Sequence, residues 1–207
     1  TGSAGKTTVK EMLAAIFAVK GGVLATKGNL NNEIGVPLTL LQLDQSHDYA
    51  VIEMGARGPG DIRYLSQITS PDIALLLNAK PVHLDGMGSV EGVAQTKGEI
   101  FENLSSKCHA IVNLDDDFAG SWQQRIDTAQ IVTFGLKAGA DVSAANIELG
   151  AESVKFDLLI NNQTEVVNLA VAGAHNVTNA LAAAAVTSAA GLSIREIAQG
   201  LDTFSGV

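Results

Sequence analysis

Short hydrophobic runs alternate with stretches of helical periodicity through the first two thirds of this chain. In the first helical stretch, apolar residues recur with the i, i+3, i+4, i+7 spacing of one helix face, at Met12, Ala15, Ile16 and Val19. Further helices are predicted at 36–43, 58–69, 89–104 and 116–126. Runs rich in Val, Ile and Leu predict buried strands at 21–26, 49–55, 73–79, 109–115 and 130–135. Strands that alternate with helices predict βαβ units, and hence an α/β fold with a mostly parallel sheet flanked by helices.

The pattern changes near residue 141. Three strand-like segments, at 141–149, 153–160 and 165–173, follow one another with short polar turns and no helix between them. This arrangement predicts a small antiparallel β meander near residues 141–172, attached to the parallel sheet. Two more helices are predicted at 175–191 and 193–203, the first ended by Gly191. Because no linker composition or internal repeat interrupts the chain, we predict a single domain over residues 1–207.

The charge balance restricts the kind of partner. Among 207 residues, 13 are Lys or Arg and 22 are Asp or Glu, which gives a formal net charge of −9. A protein that binds nucleic acid needs a basic face, so this composition argues against nucleic acid as a partner. No run of 18 apolar residues occurs, so we expect no membrane insertion. The single cysteine, Cys108, cannot form an internal disulfide and favours a reducing compartment, the cytoplasm. We also expect a monomer.

The first eight residues, TGSAGKTT, have the chemistry of a phosphate-binding loop, or P-loop. Small residues let the backbone curl so that successive N–H groups face one anion. They stand at Gly2, Ser3, Ala4 and Gly5. Lys6 would reach the β- and γ-phosphates, and the Thr7 hydroxyl would hold Mg²⁺. Thr8 completes the motif at the start of the first predicted helix, where the positive end of the helix dipole favours phosphate.

Two features of this loop bear on its interpretation. Thr8 and Glu11 also have the spacing of a helix capping box, which would make the segment an ordinary glycine-rich turn. The complete phosphate-binding motif begins with a glycine six residues before the lysine, and a strand normally precedes it. Since the sequence starts at Thr1, we expect the chain to be a piece of a longer protein that begins inside the loop.

Polar residues follow several predicted strands, at the edge where open parallel sheets bind ligands. Glu53 ends one hydrophobic run and is a candidate carboxylate ligand for the Mg²⁺ held by Thr7; the alternative is an ordinary strand-end carboxylate. His83 lies just after the next strand, and Lys97 lies on a predicted helix, but neither pattern assigns a role by itself. The acidic residues 115–117 are expected to cap the helix that follows them.

Residues 28–37, GNLNNEIGVP, form an unusual polar segment. Three asparagines with two glycines and a proline indicate a structured loop, since Asn and Gly tolerate positive φ angles. The loop is either a turn alone or a polar surface that faces substrate or nucleotide, and the residue pattern does not separate these two possibilities.

Six segments, in this order, resemble the central domain of the Mur ligases: TGSAGKTTVKEM, GNLNNEIGVP, AVIEMGA, HLDGMGS, KGEIF and GAHNVTNALAAA. The resemblance covers essentially the whole chain, and the ordered set is more specific than the loop alone. It implies an ATP-dependent ligase that phosphorylates a carboxylate to an acyl phosphate, which an amine then attacks. Within the family, GNLNNEIGVP and KGEIF are most similar to members that add D-Ala-D-Ala to UDP-N-acetylmuramoyl-tripeptide in peptidoglycan synthesis.

The resemblance also implies roles for individual residues. Lys6 would hold the γ-phosphate of ATP, while Thr7 and Glu53 would bind one Mg²⁺ ion. His83 would bind a second Mg²⁺, together with Lys97 in a carbamylated form. A carbamate is an anionic oxygen ligand, whereas a lysine ammonium repels a metal.

Further assignments concern the nucleotide cleft. The resemblance implies that His175, Asn176 and Asn179, at the start of the helix that begins with HNVTN, contact the adenine. Asn176 would also suit a helix N-cap. Asn29 and Asn32 of the polar loop would line the same cleft. The family's N-terminal domain, which holds the UDP group, and its C-terminal domain, which brings the amino-acid substrate, have no counterpart in this sequence. We therefore expect the fragment to bind nucleotide weakly and not to ligate.

Three alternatives remain open on the sequence alone. Another Mur ligase or a folylpolyglutamate synthase would share the activation chemistry. A GTPase is suggested by DGMG at 85–88, which fits the D-x-x-G pattern, but no N-K-x-D guanine motif occurs. A non-catalytic nucleotide-binding module predicts that Glu53, His83 and Lys97 lie apart. The catalytic hypothesis predicts that these three residues surround the space beside Lys6.

Overall fold

The strands of this protein form two sheets that are covered by helices. The computed structural model describes residues 1–82 and 84–206. The strands are β1 (Val23–Ala25), β2 (Tyr49–Val51), β3 (Ile73–Leu76), β4 (His109–Asn113), β5 (Gln130–Phe134), β6 (Val142–Leu149), β7 (Val154–Ile160) and β8 (Gln163–Leu169). The helices are α1 (Lys6–Phe17), α2 (Gly35–Leu40), α3 (Asp61–Thr69), α4 (Leu84–Met87), α5 (Val90–Gly98), α6 (Ala119–Gln123), α7 (Ala174–Ala189) and α8 (Ile194–Asp202), with a 3-10 helix at Glu99–Phe101. None of the helices in the two described ranges is long and apolar enough to cross a membrane.

The larger sheet has six strands in the order β3-β4-β5-β6-β7-β8. Strands β3 to β6 pair in parallel, and β6 to β8 pair antiparallel, with a register shift between Ala145 and Glu148 of β6. The smaller sheet is the parallel pair of β1 and β2. The predicted fold class is therefore confirmed, because helices flank a mostly parallel sheet that continues into an antiparallel meander.

Residues 1–3 connect the two sheets. Thr1 O accepts a hydrogen bond from Leu77 N at 2.9 Å, and Ser3 N donates to Asn78 O at 3.0 Å, just beyond β3. On the other side, Thr1 Oγ1 donates to Met54 O at 2.8 Å, just beyond β2. The glycine-rich loop is thereby fixed at the carboxyl ends of β2 and β3, the edge at which parallel sheets bind ligands.

Helical layers cover both faces of the larger sheet. Helix α7 contacts β3 to β7, and its residues 180–185, which are all Ala or Leu, have no exposed surface. Small alanine side chains let this helix approach the strands closely, and α1 and α8 pack beside it to complete one hydrophobic cluster. On the opposite face, α3, α5 and α6 form a second cluster that includes Ile62, Leu65 and Trp122. The sheet thus lies between two helical layers.

Several element boundaries differ from the predictions. Helix α1 begins at Lys6, with Gly5 at its N-cap and no side-chain cap, so the alternative capping box of Thr8 and Glu11 is not formed. The helix predicted at 89–104 is divided into α5 and the 3-10 helix. The short helix α4, which overlaps the DGMG segment, had no signal in the hydrophobic pattern.

The prediction that the acidic residues 115–117 cap a helix is wrong, because the N-cap of α6 is Phe118 and this helix has no side-chain cap. Helix α6 begins at Ala119, and Asp116 Oδ1 accepts a hydrogen bond from Phe118 N at 3.0 Å. Asp115 instead accepts hydrogen bonds from the backbone N–H groups of residues 136 and 137, at 2.7 and 2.8 Å. One aspartate therefore supports the start of α6, while its neighbour fixes the turn after β5.

Candidate functional site

The glycine-rich loop is held in shape by Asn78, a residue that the sequence pattern did not single out. Asn78 Oδ1 accepts hydrogen bonds from Ser3 N at 3.1 Å and Ala4 N at 2.9 Å, and Asn78 Nδ2 donates to Ala4 O at 3.1 Å. The Ser3 hydroxyl also accepts a hydrogen bond from Lys80 N at 2.9 Å. The amides of Ser3 and Ala4 are therefore bound to this asparagine, which corrects the expectation that they face an anion.

The start of α1 presents the remaining donors of the loop. Gly5 has a φ of +83°, a left-handed conformation that glycine adopts readily, and it turns the chain into the helix. The backbone N–H groups from Lys6 to Thr8 have no acceptor inside the helix and point out of its N-terminus. The Lys6 ammonium folds back and donates to Gly2 O at 3.1 Å. This end of α1 combines amides, the positive end of the helix dipole and one lysine, which together favour an anion.

A carboxylate faces the hydroxyl of Thr7. Glu53 lies just after β2, and its Oε2 atom accepts a hydrogen bond from Thr7 Oγ1 at 3.1 Å. Its Oε1 atom accepts a hydrogen bond from Asn31 Nδ2 at 2.7 Å, and its backbone N–H donates to Thr26 Oγ1 at 2.9 Å. The sequence singled out the polar loop at 28–37 as a whole but not Asn31, which is the loop residue that contacts Glu53.

Lys97 lies near the end of α5 and is almost completely buried. Burial, and after it the positive charge of Lys6, lowers the pKa of Lys97 from the ordinary 10.5 to about 8. Lys97 therefore lies near Lys6, and Lys6 precedes Thr7, whose hydroxyl donates to Glu53. The catalytic hypothesis places Glu53, His83 and Lys97 around the space beside Lys6, and this convergence stays a prediction because His83 lies outside the described residues.

Lys6 and Lys97 line a cavity of 730 Å³ together with Gly2, Ser3 and the asparagine loop. Asn29, which is exposed, and Asn32 both contribute to its wall. Asn32 has a structural role as well, because its Oδ1 atom accepts hydrogen bonds from the backbone N–H groups of residues 34 and 35, at 3.2 and 2.9 Å, at the start of α2. Contact of these two asparagines with nucleotide stays a prediction.

The first turns of α7 lie beside the loop. Asn179 is close to it, since a Cβ atom built on Gly5 would lie 2.5 Å from Asn179 Oδ1. Asn179 Nδ2 donates to Asn176 Oδ1 at 3.0 Å, and His175 is exposed at the helix start. Helix α7 has no side-chain cap at its N-terminus, so the alternative role of Asn176 as an N-cap is wrong. Contact of these three residues with adenine stays a prediction.

The predicted metal ligands are described only in part. His83 lies outside the described residues, so its role as a ligand of a second Mg²⁺ stays a prediction. Within residues 1–82 and 84–206, no group of three or more His, Cys, Asp or Glu side chains could hold a metal ion. Thr7 and Glu53 nevertheless offer the oxygen donors that Mg²⁺ prefers, 3.1 Å apart. That separation fits a shared ion, because neighbouring ligands of an octahedron with bonds of about 2.1 Å lie about 3 Å apart.

Comparison with known proteins identifies the family of this chain. The family model described as Mur ligase middle domain matches residues 1–187. The UDP-N-acetylmuramoyl-tripeptide–D-alanyl-D-alanine ligase of Escherichia coli is 43% identical to this chain over 208 residues. That alignment covers 100% of this chain and 46% of the relative, so the chain spans about half the length of the curated relatives it matches.

Two solved structures are similar to this one. MurF from Acinetobacter baumannii is 42% identical, with a TM-score of 0.96 over 100% of this chain and 45% of that chain. MurF ligase from Thermotoga maritima, solved in complex with ADP, is 30% identical, with a TM-score of 0.83 over 95% of this chain and 46% of that chain. With its family match, its relatives and its fold in agreement, this chain belongs to the Mur ligase family and contains the middle domain of that family.

Proposed function

We propose that this chain is the ATP-binding part of a ligase that joins D-Ala-D-Ala to UDP-N-acetylmuramoyl-tripeptide in peptidoglycan synthesis. The names of the relatives suggest the substrates, and one observation on this chain supports the chemistry. The buried amine of Lys97, with a pKa of about 8, lies near Lys6 and lines the same cavity. A module that only binds nucleotide does not need a buried lysine at that point.

The N-terminus of α1 would bind the phosphates of ATP. Its backbone N–H groups from Lys6 to Thr8, the helix dipole and the Lys6 ammonium all favour negative charge at one point. Because the chain has a net charge of −9, attraction for phosphate must come from this local arrangement. His175, Asn176 and Asn179 are proposed to face the adenine, since Asn179 lies against the loop at Gly5.

Thr7 and Glu53 would hold the Mg²⁺ that accompanies ATP, in line with their oxygen donors and their 3.1 Å separation. When bound, this ion supplies positive charge that screens the repulsion between the substrate carboxylate and the γ-phosphate. A second Mg²⁺, held by His83 and by a carbamylated Lys97, belongs to the same proposal.

Carbamylation requires the neutral amine of Lys97, which attacks carbon dioxide and loses a proton to give an anionic carbamate. At pH 7.5, about 0.1% of a lysine with the ordinary pKa of 10.5 is neutral, against about 24% with a pKa of about 8. Burial beside Lys6 therefore raises the reactive fraction about 200-fold. The carbamate would also replace the repulsion between two cations by an attraction to Lys6.

The proposed reaction has two steps. A carboxylate oxygen of the tripeptide attacks the γ-phosphorus of ATP and ADP leaves, so that an acyl phosphate forms. The amine of the dipeptide then attacks the acyl carbon, phosphate leaves with the electrons of the C–O bond, and the nitrogen loses a proton. In both steps Lys6 and the first-turn amides of α1 would stabilise negative charge on the phosphate oxygens.

Parts of a longer protein outside residues 1–207 are proposed to bind the UDP group and the dipeptide, since the chain spans about half of its curated relatives. This chain alone is then expected to bind nucleotide weakly and not to ligate. We also propose a cytoplasmic location, which suits the single cysteine, and a monomeric state.

The test uses the full-length protein that carries this chain. It is incubated with Mg²⁺, ATP, UDP-N-acetylmuramoyl-tripeptide and D-Ala-D-Ala, and phosphate release is followed with each substrate left out in turn. We expect release that depends on both substrates, is lost in Lys97→Ala and returns when short-chain carboxylic acids stand in for the carbamate. Lys155→Ala, which removes an exposed lysine of β7, is the matched control and should keep full activity.

Two results would contradict this function. Phosphate release that is independent of both substrates would indicate an ATP hydrolase that shares only the loop. Release that depends on a UDP-sugar substrate but requires an amino acid other than the dipeptide would indicate another Mur ligase.

A further inference from the structure

Glu53 is held by a different partner on each carboxylate oxygen. Its Oε1 atom accepts a hydrogen bond from Asn31 Nδ2 at 2.7 Å, whereas its Oε2 atom accepts one from Thr7 Oγ1 at 3.1 Å. The backbone of Glu53 is fixed as well, because its N–H donates to Thr26 Oγ1 at 2.9 Å. Only 6% of Glu53 is exposed, so water contributes little to its orientation. The direction of the carboxylate therefore depends on Asn31.

Asn31 is itself fixed by the backbone around it. Asn31 O accepts a hydrogen bond from Gly55 N at 2.7 Å, and Asn31 N donates to Asn29 O at 2.8 Å. Gly55 passes so close that a Cβ atom there would lie 3.0 Å from Asn31 Oδ1. An ionised carboxylate only accepts hydrogen bonds, so the amide must turn its Nδ2 atom towards Glu53 and its Oδ1 atom towards Gly55. Asn31 thus offers one N–H to Glu53 in a defined direction.

From this geometry we infer that Asn31 is a positioning residue, whose amide holds Glu53 Oε1 so that Oε2 stays directed at Thr7 and at a metal ion between them. This inference rests on the proposed function, which requires that metal. An amide suits the task because it orients the carboxylate without a positive charge, so the negative charge of Glu53 stays available to the cation. A lysine or arginine at position 31 would compete with the metal for the same carboxylate.

The other asparagines of the loop do not share this contact. Asn32 directs its Oδ1 atom at the start of α2, and Asn29 is exposed. The three asparagines of the loop therefore have different roles. Asn31 is the one that donates a hydrogen bond to Glu53, the proposed metal ligand.

Metal affinity is the property that tests this role. Mn²⁺, which replaces Mg²⁺ at oxygen sites and is detected by electron paramagnetic resonance, is titrated into the full-length protein saturated with ADP. Asn31→Ala is expected to raise the dissociation constant for Mn²⁺ about 10- to 100-fold, the usual effect of removing a group that orients a metal ligand. ADP binding in the absence of metal should be unchanged, since Asn31 acts through Glu53. Asn168→Ala, which removes an exposed amide of β8, should leave Mn²⁺ affinity at the wild-type value.

Asn31→Leu keeps the size of the side chain without its donor and serves as a second variant, with folding checked by circular dichroism. If a folded Asn31 variant binds Mn²⁺ with wild-type affinity, the role of Asn31 is overturned. It is also overturned if the variant loses as much affinity for metal-free ADP as for Mn²⁺. A wild-type protein that binds no Mn²⁺ in the presence of ADP overturns the metal site of the proposed function, and this inference with it.

Discussion

Lys97 should make the protein less stable at neutral pH than a neutral side chain would. The buried ammonium costs free energy in the folded state, which is expressed in the fall of its pKa from 10.5 to about 8. Each pKa unit corresponds to about 1.4 kcal/mol, so below pH 8 the charge lowers the free energy of unfolding by about 3 kcal/mol. Lys97→Met has a similar length without the charge, and we expect it to be more stable than the wild type at pH 7 while it loses ligation.

The pH dependence gives the sharper test, because it does not depend on how well methionine packs. The folded state binds the Lys97 proton more weakly than the unfolded state does, so this group makes the free energy of unfolding rise with pH between about 8 and 10.5. At pH 9.5, about one pKa unit of the penalty remains, or about 1.4 kcal/mol. The advantage of Lys97→Met should therefore shrink by about 2 kcal/mol between pH 7 and pH 9.5.

Urea unfolding of both proteins at these two pH values is the assay, in buffers freed of carbon dioxide so that Lys97 stays an amine. Lys155→Met replaces an exposed lysine and is the control, since its stability relative to the wild type should be the same at both pH values. A difference between Lys97→Met and the wild type that does not change with pH would refute the argument that burial depresses the pKa of Lys97.

Three further predictions concern the scaffold, and each is measured by urea unfolding. Gly5→Ala should lower the free energy of unfolding by about 2 kcal/mol and Gly60→Ala by about 1 kcal/mol. Both glycines have positive φ angles, but only a Cβ atom at position 5 would meet a side-chain amide of α7. Equal losses of stability would exclude the clash at position 5. Glu99→Ala should lower the free energy of unfolding by about 2 kcal/mol, since this buried carboxylate accepts hydrogen bonds from two backbone N–H groups at the start of α3. Glu99→Gln should lower the free energy of unfolding by less. The hydrogen bond from Lys20, followed by those from Ser193, lowers the pKa of Glu196 from 4.5 to about 2, so its contribution to stability is complete above pH 4.5 and lost as the pH falls towards 2. Lys20→Ala should weaken that acid dependence, and an unchanged profile would show that the ion pair is not its source.

The sheet was predictable from the sequence because each strand is marked by a short hydrophobic run of its own. Every strand overlaps a predicted hydrophobic run, and Gly191, with a φ of +87°, follows the end of α7 as expected. The division of the helix predicted at 89–104 depends on packing instead. At Gly98, where α5 ends, a Cβ atom would lie 3.0 Å from Arg125 Nη1 and 3.2 Å from the ring of Trp122. Such close approach between distant segments has no signature in the periodicity of a single helix.

The candidate site was predictable where its residues occur at a fixed spacing in a sequence motif or at the end of a predicted strand. The loop motif indicated Lys6, and the end of a hydrophobic run indicated Glu53. A role for Lys97 came only from the family resemblance, because a lysine on a helix gives no local sign that it is buried. Asn31 and Asn78 were missed, since their roles depend on hydrogen bonds to partners 22 and 74 residues away in the sequence.

The central claim is that ATP activates a carboxylate as an acyl phosphate, and transfer of oxygen tests it most directly. UDP-N-acetylmuramoyl-tripeptide labelled with ¹⁸O in its terminal carboxylate is incubated with the full-length protein, Mg²⁺, ATP and D-Ala-D-Ala. The account predicts ¹⁸O in the released phosphate, because the carboxylate oxygen that attacks the γ-phosphorus leaves with phosphate when the amide forms. Amide formation with release of phosphate free of ¹⁸O would contradict it.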